Sequence, residues 1–243
     1  MNRITSNHPP ADGHARPAGV SSNQPTGRAI VLDDAIDFSA RFTDDFFTRS
    51  TPLVARALLG SILVHNAPEG LTAGRIAETE AYCGPHDRAS HSCGNRLTQR
   101  NHAMFGAKGH AYIYLIYGMY WCFNIVSGPH GKPQAVLVRA LEPILGMELM
   151  RARLGAPSHA SAHSLCRGPG KLCRAMGITR EHYEDDLNGT RLFLAPASHP
   201  ACKRVTVTPR INIQYAGAYA HKPWRYFITG NPCVSQTGKN TRT

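Results

Sequence analysis

Two glutamates two residues apart, in the segment RIAETEAY (75–82), are the first side chains in this sequence with the spacing of a reaction centre. Read as a strand, period-two alternation puts Ile76, Glu78, Glu80 and Tyr82 on one face. The two carboxylates would then stand roughly 6.5–7 Å apart. Apolar flanks bury at least one of them in part, and a buried carboxylate is either paired with a cation or kept for proton chemistry. Two solvated glutamates on a strand edge would give the same pattern. Arg139, which shares a face with Leu137 and Leu141 in the most apolar strand of the chain, is the cation such a carboxylate needs. A purely structural ion pair reads identically. His91 lies eleven residues past Glu80, beyond the turn CGPHD. It is near enough to enter the same pocket as a hydrogen-bond donor, or to cap a loop instead.

Other chemistries fail on spacing. CRGPGKLC resembles a phosphate loop, but Leu165 stands where that loop needs Gly and Leu172 where it needs Ser or Thr. What survives is Gly168 and Gly170 at a helix start with Lys171, a fair site for one backbone phosphate. Neither C-x-x-C nor H-E-x-x-H occurs, and His182-Tyr-Glu184 with Pro232-Cys233 lacks the second cysteine of a base deaminase because Gln236 takes its place. No metal is expected. As the carboxylate pair of an inverting sugar hydrolase, whose carboxyl groups lie roughly 6.5–9.5 Å apart, Glu78 and Glu80 would leave the charge of the chain without a use.

That charge is the strongest global signal. Lys and Arg total 27 against 16 acidic residues, a net +11. A chain this positive draws polyanions, nucleic acid before a membrane surface. NRLTQRNHAMFGAKGH interleaves Arg96, Arg100 and Lys108 with Thr, Asn and Gln, a composition suited to phosphate oxygens or to a solvated loop. HAYIYLIYGMYWCFNI (110–125) holds four of the nine tyrosines. Tyr112, Tyr114 and Ile116 share a face of its ascending strand, while Tyr117 and Met119 belong to the turn around Gly118. Such rings either lie under other elements or stand free as a wedge for the gap left by an extruded base.

The elements that must carry these groups follow from the same patterns. FTDDFFTRSTPLVARALLG is helical, with Leu53, Val54, Ala57 and Leu58 in register and Gly60 ending it. SILVH, GRIAETEAY, HAYIYLIY, YWCFNIV and PQAVLVRAL read as strands. Pro143 opens a helix over ILGMELMRARLG that Gly155 closes. GAPSHASAHS reads as a loop, and Pro169 begins a short helix. RLFLA, RINIQYA and WRYFIT close the chain as strands. The expectation is a single mixed α+β domain over 39–235, with a largely antiparallel curved sheet, flanking helices and a protruding β-hairpin. A disordered basic arm (1–38, with Arg3, Arg16 and Arg28) precedes it and a flexible tail (236–243) follows. Seven cysteines without a regular framework favour free thiols, and neither a membrane span nor a secretory signal is seen.

ETEAYCGPHDRASHS, MFGAKGHAYIYLIYGMYWCFNI, VLVRALEP, GPGKLCRAMGI and KPWRYFITGNPCVS, in this order over about residues 43 to 235, resemble the alkyladenine (3-methyladenine) DNA glycosylases of the methylpurine type. The resemblance implies base-excision repair: flipping of alkylated or deaminated purines from duplex DNA, hydrolysis of the N-glycosidic bond, and an abasic product. A non-catalytic nucleic-acid binder is the alternative. By resemblance, Glu80 is the base that activates water, Arg139 stands beside that water and the Ile211 backbone carbonyl also holds it. Tyr82, His91 and Tyr114 sandwich and hydrogen-bond the flipped base, and Asn124 excludes guanine. Tyr117 intercalates with Met119 and Tyr120 beside it, and Arg96, Thr98, Arg100 and Lys171 hold phosphates. The resemblance further implies a monomer without cofactor, acting on double-stranded DNA that contains damaged purines and on no membrane. It would be cytoplasmic, nucleoid-associated in a bacterium or nuclear in a eukaryote. Gln99 replaces a family proline, and Asn212 stands where the family has glycine, a place where Asn tolerates positive φ better than most residues.

Overall fold

The computed structural model describes residues 37–196 and 204–235. The arm, up to its last two residues, and the tail lie outside the described residues. Within them, helices α1 (Asp44–Thr48) and α2 (Thr51–Ala57) precede strands β1 (Ile62–Ala67) and β2 (Gly70–Tyr82). Strands β3 (Ala111–Ile116), β4 (Tyr120–Ser127) and β5 (Gln134–Leu145) follow, then α3 (Met147–Leu154), α4 (Ala162–Leu165) and α5 (Pro169–Met176). Strands β6 (Leu192–Ala195), β7 (Val205–Thr208) and β8 (Arg225–Ile228) end the fold. The strands form one antiparallel sheet ordered β3-β4-β5-β2-β1-β6. β8 takes over the edge of β2 that β1 leaves free, pairing at Glu78–Glu80, and carries β7 outside it.

The alternation of the strands sorts their side chains between two environments. Ile113, Phe123, Ile125, Val136, Val138 and Ala81 face the main core, where Phe47, Val54, Leu58, Met150, Leu165, Leu172 and Met176 from the five described helices cover them. Tyr112, Tyr114, Cys122, Asn124, Leu137, Arg139 and Tyr82 face the other way and line a cavity.

The β2–β5 pairing is irregular beside Ala73 and Gly74, where Ile144 is an extra residue on β5, and again around Glu78, which is the informative place. β2 and β5 pair Ile76 with Leu141, Glu78 with Ala140 and Thr79 with Val138. Ala77 is therefore an extra residue on β2, and Arg139 an extra residue on β5. These two bulges re-aim the neighbouring side chains. Ile76 and Leu141 turn into the helix-covered core, so neither shares the face of Glu80 or Arg139 as strict alternation implied. Glu78, Glu80 and Tyr82 stay together.

Other expectations need correction. The first helical segment is two helices, because Pro52 lacks an N–H and its ring cannot follow the carbonyl of Thr48 in a continuous helix. Its buried side chains are Phe47, Thr51, Val54, Ala55, Leu58 and Leu59, whereas Leu53 and Ala57 are exposed. Pro143 lies within β5 and opens no helix. It faces Gly74 on one side, and β4 pairs β5 only over Gln134–Leu137, so its missing N–H is not needed there. α3 starts after Gly146, whose φ of 75° turns the chain and whose added Cβ would meet Leu71 O at 2.3 Å. Within the loop GAPSHASAHS the turn α4 forms. RINIQYA is no strand: Asn212 sits at φ 58°, and a 3-10 turn follows over Gln214–His221. The six cysteines among the described residues are free thiols. None of the described helices is long and apolar enough to cross a membrane.

Candidate active site

Glu78 and Glu80 are both fully buried, and their surroundings separate them. Glu78 Oε1 accepts from Arg139 Nε at 3.0 Å, Arg225 Nε at 2.7 Å and Ser235 Oγ at 2.8 Å, and its Oε2 accepts from Ser235 N at 2.7 Å. A carboxylate offers about four lone-pair positions, and among the described residues Glu78 meets four donors, three of them crowded on Oε1. Glu80 has three donors. Its Oε2 accepts from the Tyr82 hydroxyl at 2.9 Å and Arg139 Nη1 at 3.2 Å, and among the described residues its Oε1 accepts only from the backbone N–H of Ile211 at 2.8 Å. One lone pair of Oε1 is left over, beside three residues (Tyr82, Arg139, Ile211) that line the cavity. Two arginines and two glutamates make this cluster neutral. Burial would lower the Arg139 pKa, but Glu80 and then Glu78 outweigh burial and hold it above the usual value.

The Ile211 loop reaches Glu80 because the residue before it is locked. Arg210 makes a bidentate pair with Asp87, at 2.6 and 2.8 Å, and also donates to Ala81 O at 2.9 Å. Its guanidinium lies 4.7 Å from the centre of the Tyr82 ring. That ring is thus backed by a cation and tied by its hydroxyl to Glu80. Burial first, and the Glu80 charge second, push the Tyr82 phenol well above its ordinary pKa, so it remains a donor.

The cavity measures about 460 Å³, inside the roughly 300–1,000 Å³ of small-molecule sites. His91 stands at its rim, with its ring edge-on to Tyr114 at 4.6 Å and its Nδ1 2.7 Å from the Tyr112 hydroxyl. Desolvation first and the Arg100 charge second push the His91 pKa below the ordinary histidine value; the open edge of the ring moderates that pull. Asn124 donates its Nδ2 to Tyr112 O at 3.0 Å, and its Oδ1 meets no donor among the described residues. Lys171, in the first turn of α5, also lines the cavity.

At the hairpin tip Tyr117 is 75% exposed, Met119 66% and Tyr120 47%. Tyr117 itself is left-handed at φ 54°, beside Gly118 at 70°. A bulky residue rarely adopts that conformation, and here it aims the ring outward beyond the strand. Gly170 braces the tip from below: a Cβ there would fall 2.9 Å from Tyr120 Cβ.

Three predicted phosphate contacts lie elsewhere. Arg96 is exposed. Thr98 binds Asn101 Oδ1 through both its N–H and its hydroxyl. Arg100 donates to Leu115 O at 2.8 Å and stacks over Tyr114 at 5.1 Å, tying its loop to the hairpin. No signal in the sequence marked Asn101, whose Nδ2 holds His91 O and Arg96 O, or the Arg210–Asp87 pair. Tyr215, 70% exposed on the far lip of the cavity, was legible only as a strand residue. Among the described residues no group of three or more His, Cys, Asp or Glu could hold a metal ion.

Comparison with known proteins bears on this arrangement. The family described as Methylpurine-DNA glycosylase (MPG) matches residues 45–232. A protein of Bacillus cereus is 47% identical over 198 residues, 79% of this chain and 97% of the relative. One from Bacillus anthracis is 48% identical over 198 residues, with the same coverage. One from Methanocella arvoryzae is 47% identical over 196 residues, 79% of this chain and 94% of the relative. Each bears the name "Putative 3-methyladenine DNA glycosylase".

Proposed function

The chain belongs to the methylpurine-DNA glycosylase family, and from that premise we propose that it excises alkylated or deaminated purines from duplex DNA as a monofunctional, monomeric glycosylase. The observation that carries the reading is the spare lone pair of Glu80 Oε1 next to a cavity lined by Tyr82, His91, Tyr114 and Arg139. A water bound there attacks C1′ of the extruded nucleotide. The C1′–N bond breaks, its electron pair leaves with the purine, and Glu80 takes the proton of the water. A purine made cationic by N-alkylation departs neutral; a neutral lesion such as hypoxanthine or ethenoadenine first takes a proton from solvent. A base of this kind contributes ~10²–10⁴ in rate. The buried Glu80 carboxylate also favours the cationic sugar that develops.

The remaining residues serve extrusion and recognition. Tyr117 enters the gap left by the base, flanked by Met119 and Tyr120, and stacking offsets the few kcal/mol that extrusion costs. Tyr82, His91 and Tyr114 receive the base. Asn124, fixed by its amide, disfavours the amino group of guanine. Lys171, with Arg96, Thr98 and Arg100, supports the phosphate backbone, and the net charge of +11 gives the long-range attraction. Such an enzyme works where the chromosome is.

The test is a duplex oligonucleotide with one hypoxanthine or ethenoadenine, treated with alkali after incubation. The wild-type protein should yield a cut at the lesion, and Glu80→Gln should bind without cutting. Equal cutting by both proteins would remove Glu80 from the chemistry.

A further inference from the structure

We propose that Tyr112 fixes the proton of the His91 ring on Nε2 and so makes His91 a standing hydrogen-bond donor toward the extruded nucleotide. The inference rests on the reading of the cavity as a purine site. Its geometry is independent of that reading. The Tyr112 hydroxyl is 2.7 Å from His91 Nδ1, and either atom could in principle be the donor. Tyr112 is 2% exposed, and among the described residues its hydroxyl meets no partner besides His91. If Nδ1–H donated, the phenol O–H would lie buried without an acceptor, which folded proteins avoid. If the phenol donates to a bare Nδ1, both groups are satisfied. Burial above all raises the Tyr112 pKa, so the phenol keeps the proton it gives.

A neutral imidazole carries one N–H, and with Nδ1 accepting, that N–H is on Nε2. No described residue accepts from Nε2. The direction of the bond is fixed as well: Asn101 Nδ2 holds His91 O at 2.8 Å, and the ring is edge-on to Tyr114 at 4.6 Å. The groups facing His91 are Tyr112 and Tyr114 from β3 and Arg100 from the loop beneath. Desolvation first, and Arg100 second, oppose a second proton on the ring. His91 therefore offers one donor and no acceptor to the cavity, and its partner must bring a lone pair: a purine ring nitrogen or a phosphate oxygen of the extruded nucleotide. Tyr112 acts through His91 as a positioning residue.

Long-range ¹H–¹⁵N correlation on ¹⁵N-histidine-labelled full-length protein reads the tautomer directly, with His91→Ala assigning the signal. The proton is expected on Nε2; a proton on Nδ1 overturns the proposal. Tyr112→Phe should weaken capture of a lesion duplex about tenfold, the equivalent of one hydrogen bond, and leave undamaged-duplex affinity unchanged. The same change in a His91→Ala background should cost nothing more, and a full penalty there would show that Tyr112 does not act through His91. A lesion analogue with carbon in place of a ring nitrogen, and a methylphosphonate at the lesion, separate the two acceptors. The Tyr112→Phe penalty should vanish with one of them, and its persistence with both would overturn the donor role. Should Tyr112→Phe not fold, the wild-type tautomer decides. An Nε2 proton in a protein that excises no purine would sink the proposed function and leave the tautomer assignment standing.

Discussion

Arg210 and Asp87 form a bidentate ion pair with both side chains fully buried, one residue before the N–H that Ile211 gives to Glu80. The pair is a fastener for the loop, and truncating one partner strands the other charge in the interior. Asp87→Ala should cost about 3–5 kcal/mol of stability by denaturant unfolding. Asp87→Leu combined with Arg210→Met should recover much of that loss. A loss below about 1 kcal/mol for Asp87→Ala would mean that water reaches the pair.

Glu78 and Glu80 should part company on mutation. Glu78→Gln places an amide NH₂ against donors from Arg139, Arg225 or Ser235, so its first effect is on stability, about 1–3 kcal/mol or more. Glu80→Gln should fold and bind duplex normally and lose ~10²–10⁴ in single-turnover excision. Thermal unfolding and excision kinetics measured on both variants check this; an unfolded Glu80→Gln beside a stable, inactive Glu78→Gln would reverse the two roles.

The left-handed backbone of Tyr117 separates conformation from contact. Tyr117→Gly should be about 1 kcal/mol more stable than Tyr117→Ala, since only glycine enters that region without cost. Both should capture a lesion duplex poorly while binding undamaged duplex nearly as well as wild type. Equal loss on both duplexes would argue against a wedge.

His65 and His182 give the protein a stability that depends on pH. His65 Nδ1 donates to Met176 O, His182 Nδ1 accepts from Thr179 N, and the two Nε2 atoms are 2.9 Å apart. Both rings are neutral in this chain, with no room for a further proton. Burial leads in lowering both pKa values. The unfolded chain therefore binds more protons than the folded one at mildly acid pH, and stability falls as pH drops through about 6.5. Unfolding midpoints between pH 7.5 and 5 should show this decline, and His65→Gln should flatten it. A midpoint independent of pH over that range would mean that the pair is not intact.

Gly170→Ala should disturb the hairpin through Tyr120, which lines the cavity beside it. Overpacking against Tyr120 costs about 1–3 kcal/mol, or the tip moves to relieve it. Excision should fall further than stability, as read by comparing single-turnover rates with the unfolding midpoint.

The strands that build the cavity were legible because alternation is a local property: Tyr112, Tyr114 and Ile116 point where a period of two puts them. The helix at Pro169 and the αL closure at Gly155 were equally local. What failed was non-local. Whether Pro143 starts a helix or sits in a strand depends on Gly74 opposite it, and no single segment states that. RINIQYA has the composition of a strand, yet Arg210 finds Asp87 and Asn212 turns left-handed, and the chain leaves the sheet to reach Glu80. The parity change at Ala77 and Arg139 was hidden for the same reason, since it exists only in the pairing of two segments some sixty residues apart.

That pairing ties two distant codons together. Losing Ala77 alone would invert the leading half of β2, sending Ile76 out of the oil and Arg75 into it; losing Arg139 alone would do the same to the trailing half of its partner. Only a double deletion would leave a flat, well-zipped ribbon, and that ribbon would have no guanidinium under the pocket. Each single deletion toward a plain sheet should therefore cost the fold more than the double deletion, because a one-residue slip turns a whole run of side chains to the wrong face.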